Sequence, residues 1–142
     1  MKQHIAALAL SALIATPALA GTCGPDRDED IALMETAKAA LLNADYRSFA
    51  SIAGAYFSDL EENYDGYFGP LETTFPDGYD RCVTILQRRE SPAFAQDLML
   101  FFPKGYDAPM AVLLIVADVE GTTRMIEFSY NTNISGVLDE LK

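Results

Sequence analysis

The chain has 142 residues, with ten Lys and Arg against 21 Asp and Glu and a formal net charge of −11. Such a chain lacks the clustered basic side chains that bind nucleic acid or an anionic membrane surface. The only histidine is His4, which lies in a segment that we expect to be removed. Without it the chain has no imidazole for a Ser-His-Asp or Cys-His mechanism, nor for a zinc, copper or iron site.

Residues 1–20 have the pattern of a secretory signal peptide. Lys2 supplies the positive start, residues 5–14 form an apolar run, and Ala18-Leu19-Ala20 fits the small-x-small cleavage pattern. The apolar run is shorter than the roughly 20 residues that span a bilayer. We therefore expect one periplasmic or secreted domain, residues 21–142, without membrane insertion. It keeps nine Lys and Arg against 21 Asp and Glu, a net charge of −12.

The expected domain has two cysteines, Cys23 and Cys82. An even number of cysteines in an oxidising compartment favours a disulfide. This one would close a loop of about 60 residues and stabilise the fold by roughly 4 kcal/mol. The alternative is an acylated Cys23, because residues 19–23 resemble a lipobox with Thr22 inserted before the cysteine.

The first half of the domain predicts two helices and a long loop. Four carboxylates in residues 26–30 precede a helix over residues 28–42, with Ile31, Met34, Ala37 and Leu41 on one face. Asp45 is placed to cap a second helix that ends near residue 62. Residues 63–80 are rich in glycine, proline and aromatic residues, which predicts a loop with at most one helical turn.

In the second half the apolar period becomes two. Strands are predicted over residues 82–87, 94–102, 110–119 and 124–130, and a short helix over 135–141. The pattern Phe-Pro-x-Gly-Tyr-Asp occurs at residues 75–80 and 102–107 and predicts two independent turns with glycine at positive φ. The fold class is therefore α+β, with N-terminal helices packed on a four-stranded antiparallel sheet.

This order of elements, with the helix junction Asn43-Ala44-Asp45-Tyr46 and the following Phe49, resembles the SnoaL-like or nuclear-transport-factor-two-like cone-fold superfamily. The resemblance implies a curved, cone-like sheet that wraps the helices and leaves a pocket. That family includes isomerases, dehydratases and non-catalytic binding domains, and its enzymes commonly use a pocket Asp or His with tyrosine partners. A mechanism here would have to rely on carboxylates, hydroxyls and phenols.

Three groups of residues are candidates for chemistry. The first is a calcium loop: Glu61, Asn63, Asp65 and Glu72 occupy positions one, three, five and twelve of an EF-hand frame, with Gly66 at six. Glu at position one and Pro70 at position ten depart from that frame, and the alternative is a solvated acidic loop.

The second group is Asp97 and Asp118, which alternate with apolar residues in predicted strands. A carboxylate on a buried face would have a raised pKa and could act as a general base beside a tyrosine. The alternative is that each carboxylate is solvated at a strand end or pairs with Arg88 or Arg124.

The third group comprises Tyr64, Tyr67 and Tyr79 beside Asp65 and Asp77, which could bind a cationic or sugar-like ligand. The alternative is that the rings pin the loop onto the sheet.

We expect a small exported non-catalytic domain that binds a ligand or partner protein and needs no cofactor. The pocket candidates are Tyr64, Asp65, Tyr67, Asp97 and Asp118. The alternatives are a cone-pocket isomerase or lyase that uses an Asp/Tyr pair, and a calcium-stabilised structural module.

Overall fold

A computed structural model describes residues 22–24, 31–54, 60, 62–90 and 94–139. The expected signal segment, the carboxylates of residues 26–30 and the end of the second predicted helix at residues 55–59 and 61 lie outside this part. Three helices precede four strands and a short fourth helix. Their bounds are α1 (Ala32–Leu42), α2 (Tyr46–Ala53), α3 (Tyr64–Thr74), β1 (Tyr79–Glu90), β2 (Phe94–Pro103), β3 (Met110–Val119), β4 (Thr122–Asn131) and α4 (Ile134–Asp139).

The first two helices begin close to where the apolar spacing predicts them, but α2 ends at Ala53, before Gly54, and not near residue 62. Met34, Ala37 and Leu41 of α1 are buried on one face. At the start of α2, the Asp45 carboxylate accepts a hydrogen bond from the Ser48 N–H at 3.0 Å, which satisfies a backbone donor that the helix leaves unpaired. The predicted cap is therefore confirmed.

Helix α3 replaces most of the loop that we predicted over residues 63–80, so that prediction is wrong. Its buried residues are Tyr64, Phe68 and Leu71, which are spaced by four and three positions and share one face. Phe68 contacts the rings of Phe49 and Phe128 at centroid distances of 5.8 and 5.9 Å. Packing of this face against α2 and the sheet outweighs the low helix propensity of the glycines and Pro70.

The sheet is an antiparallel meander in the order β1-β2-β3-β4. Alternation places Ala95, Asp97, Met99 and Phe101 of β2 on the face that the first three helices cover, which we call the first face. Strand β1 is longer than predicted and includes residues 88–90, which we had assigned to a turn. An irregularity between Thr84 and Leu86 inserts one residue into β1 relative to β2, as in a β-bulge.

The opposite side, the second face, is covered unevenly. Val137 and Ile134 of α4 pack with Leu98, Ala111 and Leu113 of the central strands. Helix α4 lies mainly on β3 and β4. At the other edge, Ile85 and Leu86 of β1 remain 48% and 40% exposed.

The two turns that share a sequence pattern lie against each other. Gly78 and Gly105 both have positive φ, of 74° and 79°, as the pattern predicts. The Lys104 N–H donates to the Gly78 carbonyl at 3.1 Å, and the Phe75 and Tyr106 rings are 5.2 Å apart. The turns are therefore in contact, although their flanking sequences differ.

Candidate functional site

Cys23 and Cys82 form a disulfide, with their Cα atoms 4.8 Å apart and a sequence separation of 59. This confirms the predicted pairing and leaves no thiol on Cys23 for an acyl chain. The Cys23 carbonyl accepts hydrogen bonds from the N–H and hydroxyl of Thr84, at 3.2 and 2.5 Å. The Thr22 N–H donates to the Glu35 carboxylate at 2.6 Å. Residues 22–24 are thus held between the edge of β1 and helix α1.

A cluster of four charged residues lies between α1 and the first face of the sheet. Lys38 and Asp97 are fully buried, with Lys38 Nζ 2.8 Å from Asp97 Oδ2. The same Nζ is 2.6 Å from Glu35 Oε1. Arg89 of β1 approaches from the sheet, with a guanidinium nitrogen 2.5 Å from Asp97 Oδ1. We refer to Glu35, Lys38, Arg89 and Asp97 as the buried charge cluster.

Hydrogen bonds within the cluster favour the ionised forms of Lys38 and Glu35. Burial alone would lower the pKa of Lys38, but hydrogen bonds to Asp97 and Glu35 outweigh it and raise that pKa above its usual value. Burial alone would raise the pKa of Glu35, but hydrogen bonds from Lys38 and Thr22 lower it overall. A cation shared between carboxylates is the arrangement that makes buried charges tolerable.

The surroundings of Asp97 are those of a residue that stabilises the fold, and not those of a general base. Both of its oxygens lie beside cations, and among the described residues no tyrosine hydroxyl donates to it. The arginine is Arg89, not Arg88 as considered from the sequence. The reason is the inserted residue before Leu86, which turns Gln87 and Arg89 toward the first face and Arg88 toward the second.

Asp118, unlike Asp97, is exposed to solvent. It lies near the end of β3, and its Oδ1 accepts a hydrogen bond from the Gly121 N–H at 2.7 Å. This carboxylate shapes the turn between β3 and β4, as Asp side chains commonly do. The two aspartates that the sequence singled out thus have different roles.

The three tyrosines of the third group differ in burial and hydrogen bonding. Tyr64 is buried, donates to Glu72 at 2.6 Å and has the Arg47 guanidinium 4.4 Å above its ring. Tyr79 is also buried, with its hydroxyl 3.2 Å from that of Tyr46. Tyr67 is 43% exposed. Asp65 and Asp77 are exposed as well.

Burial raises the pKa of Tyr64 and Tyr79, and hydrogen bonds with Glu72 and Tyr46 add to the shift. Their hydroxyls are therefore neutral hydrogen-bonding groups within the core, and the alternative that the rings pin this segment to the domain describes both tyrosines.

The residues of the EF-hand frame are not arranged as a calcium loop. Glu61 lies outside the described part, while Asp65, Gly66 and Glu72 belong to α3. Glu72 accepts the hydrogen bond from Tyr64. Where the structure is described, it contains no group of three His, Cys, Asp or Glu side chains that could hold a metal ion.

Sequence reasoning missed three members of the buried charge cluster, Glu35, Lys38 and Arg89. A signal for Lys38 was present: it lies four residues after Met34 and three before Leu41, within the apolar stripe of α1. A lysine at such a position needs a buried acidic partner. Such a partner is Glu35 on the preceding turn of α1, and a second is a carboxylate of the sheet, Asp97.

The exposed large apolar side chains of β1 are Leu86, which points to the second face, and Ile85, which is the inserted residue next to it. Outside the inserted residue, Arg81, Val83, Leu86, Arg88 and Glu90 point to this face, as their partners on β2 require. With Ile85 at the insertion, we call these six residues the β1 strip. The guanidinium of Arg81 lies 3.7 Å above the Phe102 ring, and that of Arg88 lies 5.7 Å above Phe94.

In the part of the chain that is described, no helix is long and apolar enough to cross a membrane. Comparison of the chain with protein-family models, curated proteins and solved structures finds no match.

Proposed function

We propose that this chain is a non-catalytic binding domain that acts outside the cytoplasm, and that its partner binds on the β1 strip. The observation that carries the proposal is the exposure of two adjacent aliphatic side chains, Ile85 at 48% and Leu86 at 40%, on an edge strand. The disulfide and the expected signal segment support the location.

A single exposed aliphatic residue needs no explanation, but a group of them on a sheet edge does. Edge strands that carry exposed apolar residues tend to associate with other chains, and proteins usually protect such strands with charges or a covering segment. Here α4 lies mainly on β3 and β4, and residues 22–24 reach β1 near Thr84. A partner that covers Ile85 and Leu86 would remove their apolar surface from water.

The environments of the two aspartates that the sequence singled out favour binding over catalysis. Asp97 is held by Lys38 and Arg89, and Asp118 is held in a turn. A general base must reach a substrate proton, which Asp97 could not do without breaking two ion pairs.

The proposal is tested by site-specific cross-linking. A photoreactive amino acid placed at Leu86 should give a discrete cross-linked product in the exported protein, and the same group at exposed Thr73 of α3 should not. The captured chain, identified by mass spectrometry, should bind the purified protein and lose affinity for an Ile85→Asp variant that keeps its disulfide. Equal labelling at both positions, or binding unaffected by Ile85→Asp, would show that the β1 strip is not the binding surface.

A further inference from the structure

Resting on the proposed binding role of the β1 strip, we propose that its partner is a second copy of this chain, bound face to face about a two-fold axis. Arg81 is at one end of the strip, Glu90 is at the other, and the exposed Ile85 and Leu86 lie midway between them.

The ends of the strip carry opposite charges that are available for contact. Arg81 is exposed and stacks on Phe102, and no described carboxylate forms an ion pair with it. Glu90 is paired with Arg88 on the same strand, and both side chains are more than half exposed. Glu90 therefore has room to accept a second cation without leaving Arg88.

A two-fold axis through the centre of the strip would make this arrangement self-complementary. In an isologous interface, a residue at one end of a patch meets the residue at the opposite end of the second copy. Ile85 and Leu86 would then pack near the axis against the same pair, while Arg81 would meet the second copy's Glu90. This contact would occur twice.

The inserted residue in β1 is essential to this match. Without it, alternation would place residues 81 and 90 on opposite faces of the sheet. The shift between Thr84 and Leu86 returns Glu90 to the face of Arg81, since Arg81 pairs with Phe102 and Glu90 pairs with Phe94. A bulge at the centre of an exposed strip thus brings both charges to one surface.

Contact through the face is favoured over continuation of the sheet. The Thr84 N–H already donates to the Cys23 carbonyl, so residues 22–24 occupy the edge of β1 close to the centre of the strip. A second β1 strand could not pair along the whole edge without displacing the disulfide-linked segment. Face-to-face packing of two sheets leaves that segment in place.

Charge also favours this surface for self-association. The whole chain has a formal net charge of −11, which opposes contact between two copies. The strip itself carries Arg81, Arg88 and Glu90 and is therefore not acidic. Repulsion between more distant charges is screened over about 8 Å at physiological ionic strength.

The experiment is sedimentation equilibrium of the purified, oxidised protein at up to about 100 µM, where a dimer with a micromolar Kd is almost fully formed. We expect a dimer. Leu86→Asp should give a monomer with an intact disulfide, and Thr73→Asp on α3 should leave the dimer unchanged. Arg81→Glu and Glu90→Arg should each weaken dimerisation by about tenfold, because each change affects two symmetric contacts.

The double variant that carries Arg81→Glu and Glu90→Arg should recover most of the wild-type affinity, a result that misfolding cannot produce. A wild-type monomer overturns the inference, as does a dimer that is insensitive to Leu86→Asp or not rescued by the charge swap. If the protein is monomeric but Leu86 cross-links to another chain, the dimer is excluded and the proposed function stands. If there is no specific cross-link either, both fail.

Discussion

At the scale of single residues, Lys38 occupies a position in α1 that its neighbours Met34 and Leu41 mark as part of the core. Removing an ammonium group from water costs several kcal/mol, which only close oppositely charged partners offset. Asp97 and Glu35 supply those partners at 2.8 and 2.6 Å. The pairing links the first helix to the second strand by charge within an otherwise apolar layer.

Replacing Lys38 with Met should therefore be strongly destabilising although it keeps an unbranched side chain. Asp97 would stay buried with only Arg89 beside it. We expect the free energy of unfolding to fall by about 3 kcal/mol in urea denaturation. Thr36→Ala, on the exposed side of the same helix, should change it by less than about 0.5 kcal/mol.

The double variant Lys38→Met, Asp97→Leu distinguishes an unpaired charge from a packing defect. Arg89 and Glu35 have side chains that are 18% and 19% exposed, so they can turn toward water when both buried charges are gone. The double variant should lose less stability than the sum of the two single variants. Strict additivity would contradict the coupling.

The pH dependence of stability follows from the same side chains. The pKa of Glu35 is lowered in the fold, so its contribution is present above the ordinary value of 4.5 and is lost as the pH falls through the folded-state pKa. The pKa of Lys38 is raised, so its contribution is present below 10.5 and is lost at higher pH. Urea midpoints should fall at both extremes of pH. Glu35→Gln should flatten the fall at acid pH, and it should also reduce the fall at alkaline pH because Glu35 helps to raise the pKa of Lys38.

Four tyrosines add to the loss of stability at alkaline pH. Burial raises the pKa of Tyr46, Tyr64, Tyr79 and Tyr130 above the ordinary value of 10.0, so the fold favours their neutral forms and loses stability as the pH rises past that value. Tyrosinate absorbance should therefore develop at higher pH in the folded protein than in urea. Tyr79→Phe should remove one of the late-titrating groups. Coincident titration curves would contradict this.

At the scale of elements, the strands were the most predictable part, because a period of two over several residues has few other interpretations. Helix α3 could not be predicted from the sequence, because Gly66, Gly69 and Pro70 indicate a loop when only neighbouring residues are considered. Its buried residues Tyr64 and Phe68 are nevertheless four apart. Contacts of Phe68 with rings from other elements, among them Phe49 and Phe128, decide in favour of a helix.

The two related turns offer a matched test of backbone geometry. Gly78 and Gly105 have nearly the same positive φ, but a Cβ on Gly78 would lie 3.1 Å from the Leu42 carbonyl oxygen, whereas one on Gly105 would meet nothing within 4 Å. Gly105→Ala should lower the free energy of unfolding by about 1–2 kcal/mol, the cost of the left-handed conformation. Gly78→Ala should lower it by at least about 1 kcal/mol more. Equal losses would mean that the turn at Gly78 relaxes.

At the scale of the whole molecule, the α+β class, the order of the four strands and the disulfide could be predicted, since periodicity and cysteine number determine them. The environment of Asp97 could not, because it depends on a single inserted residue in β1 that decides whether Arg88 or Arg89 faces it. The exposed β1 strip was missed for the same reason. Alternation identifies faces, and an unrecognised bulge reverses them.

The disulfide should make a large contribution to the stability of the domain. It joins two residues that are 59 positions apart, and the closed loop restricts the unfolded chain. The double variant Cys23→Ser, Cys82→Ser should therefore have a free energy of unfolding about 4 kcal/mol lower, measured by urea denaturation. The reduced wild-type protein should behave like this variant, and the reductant should leave the variant itself unchanged. If the reduced wild-type protein and the double serine variant were both as stable as the oxidised protein, the cross-link would not contribute to stability.

The same bond determines how the molecule bears load. All three helices α1, α2 and α3 lie in the chain between Cys23 and Cys82, while β2, β3 and β4 lie beyond it. When the two ends of the chain are pulled, tension passes through the sulfur atoms and bypasses the helical half. About 200 Å of extended chain is then withheld until the bond is reduced. The oxidised protein can lengthen only by unravelling its sheet and the segments outside the loop, and the helices remain in a ring that carries no force.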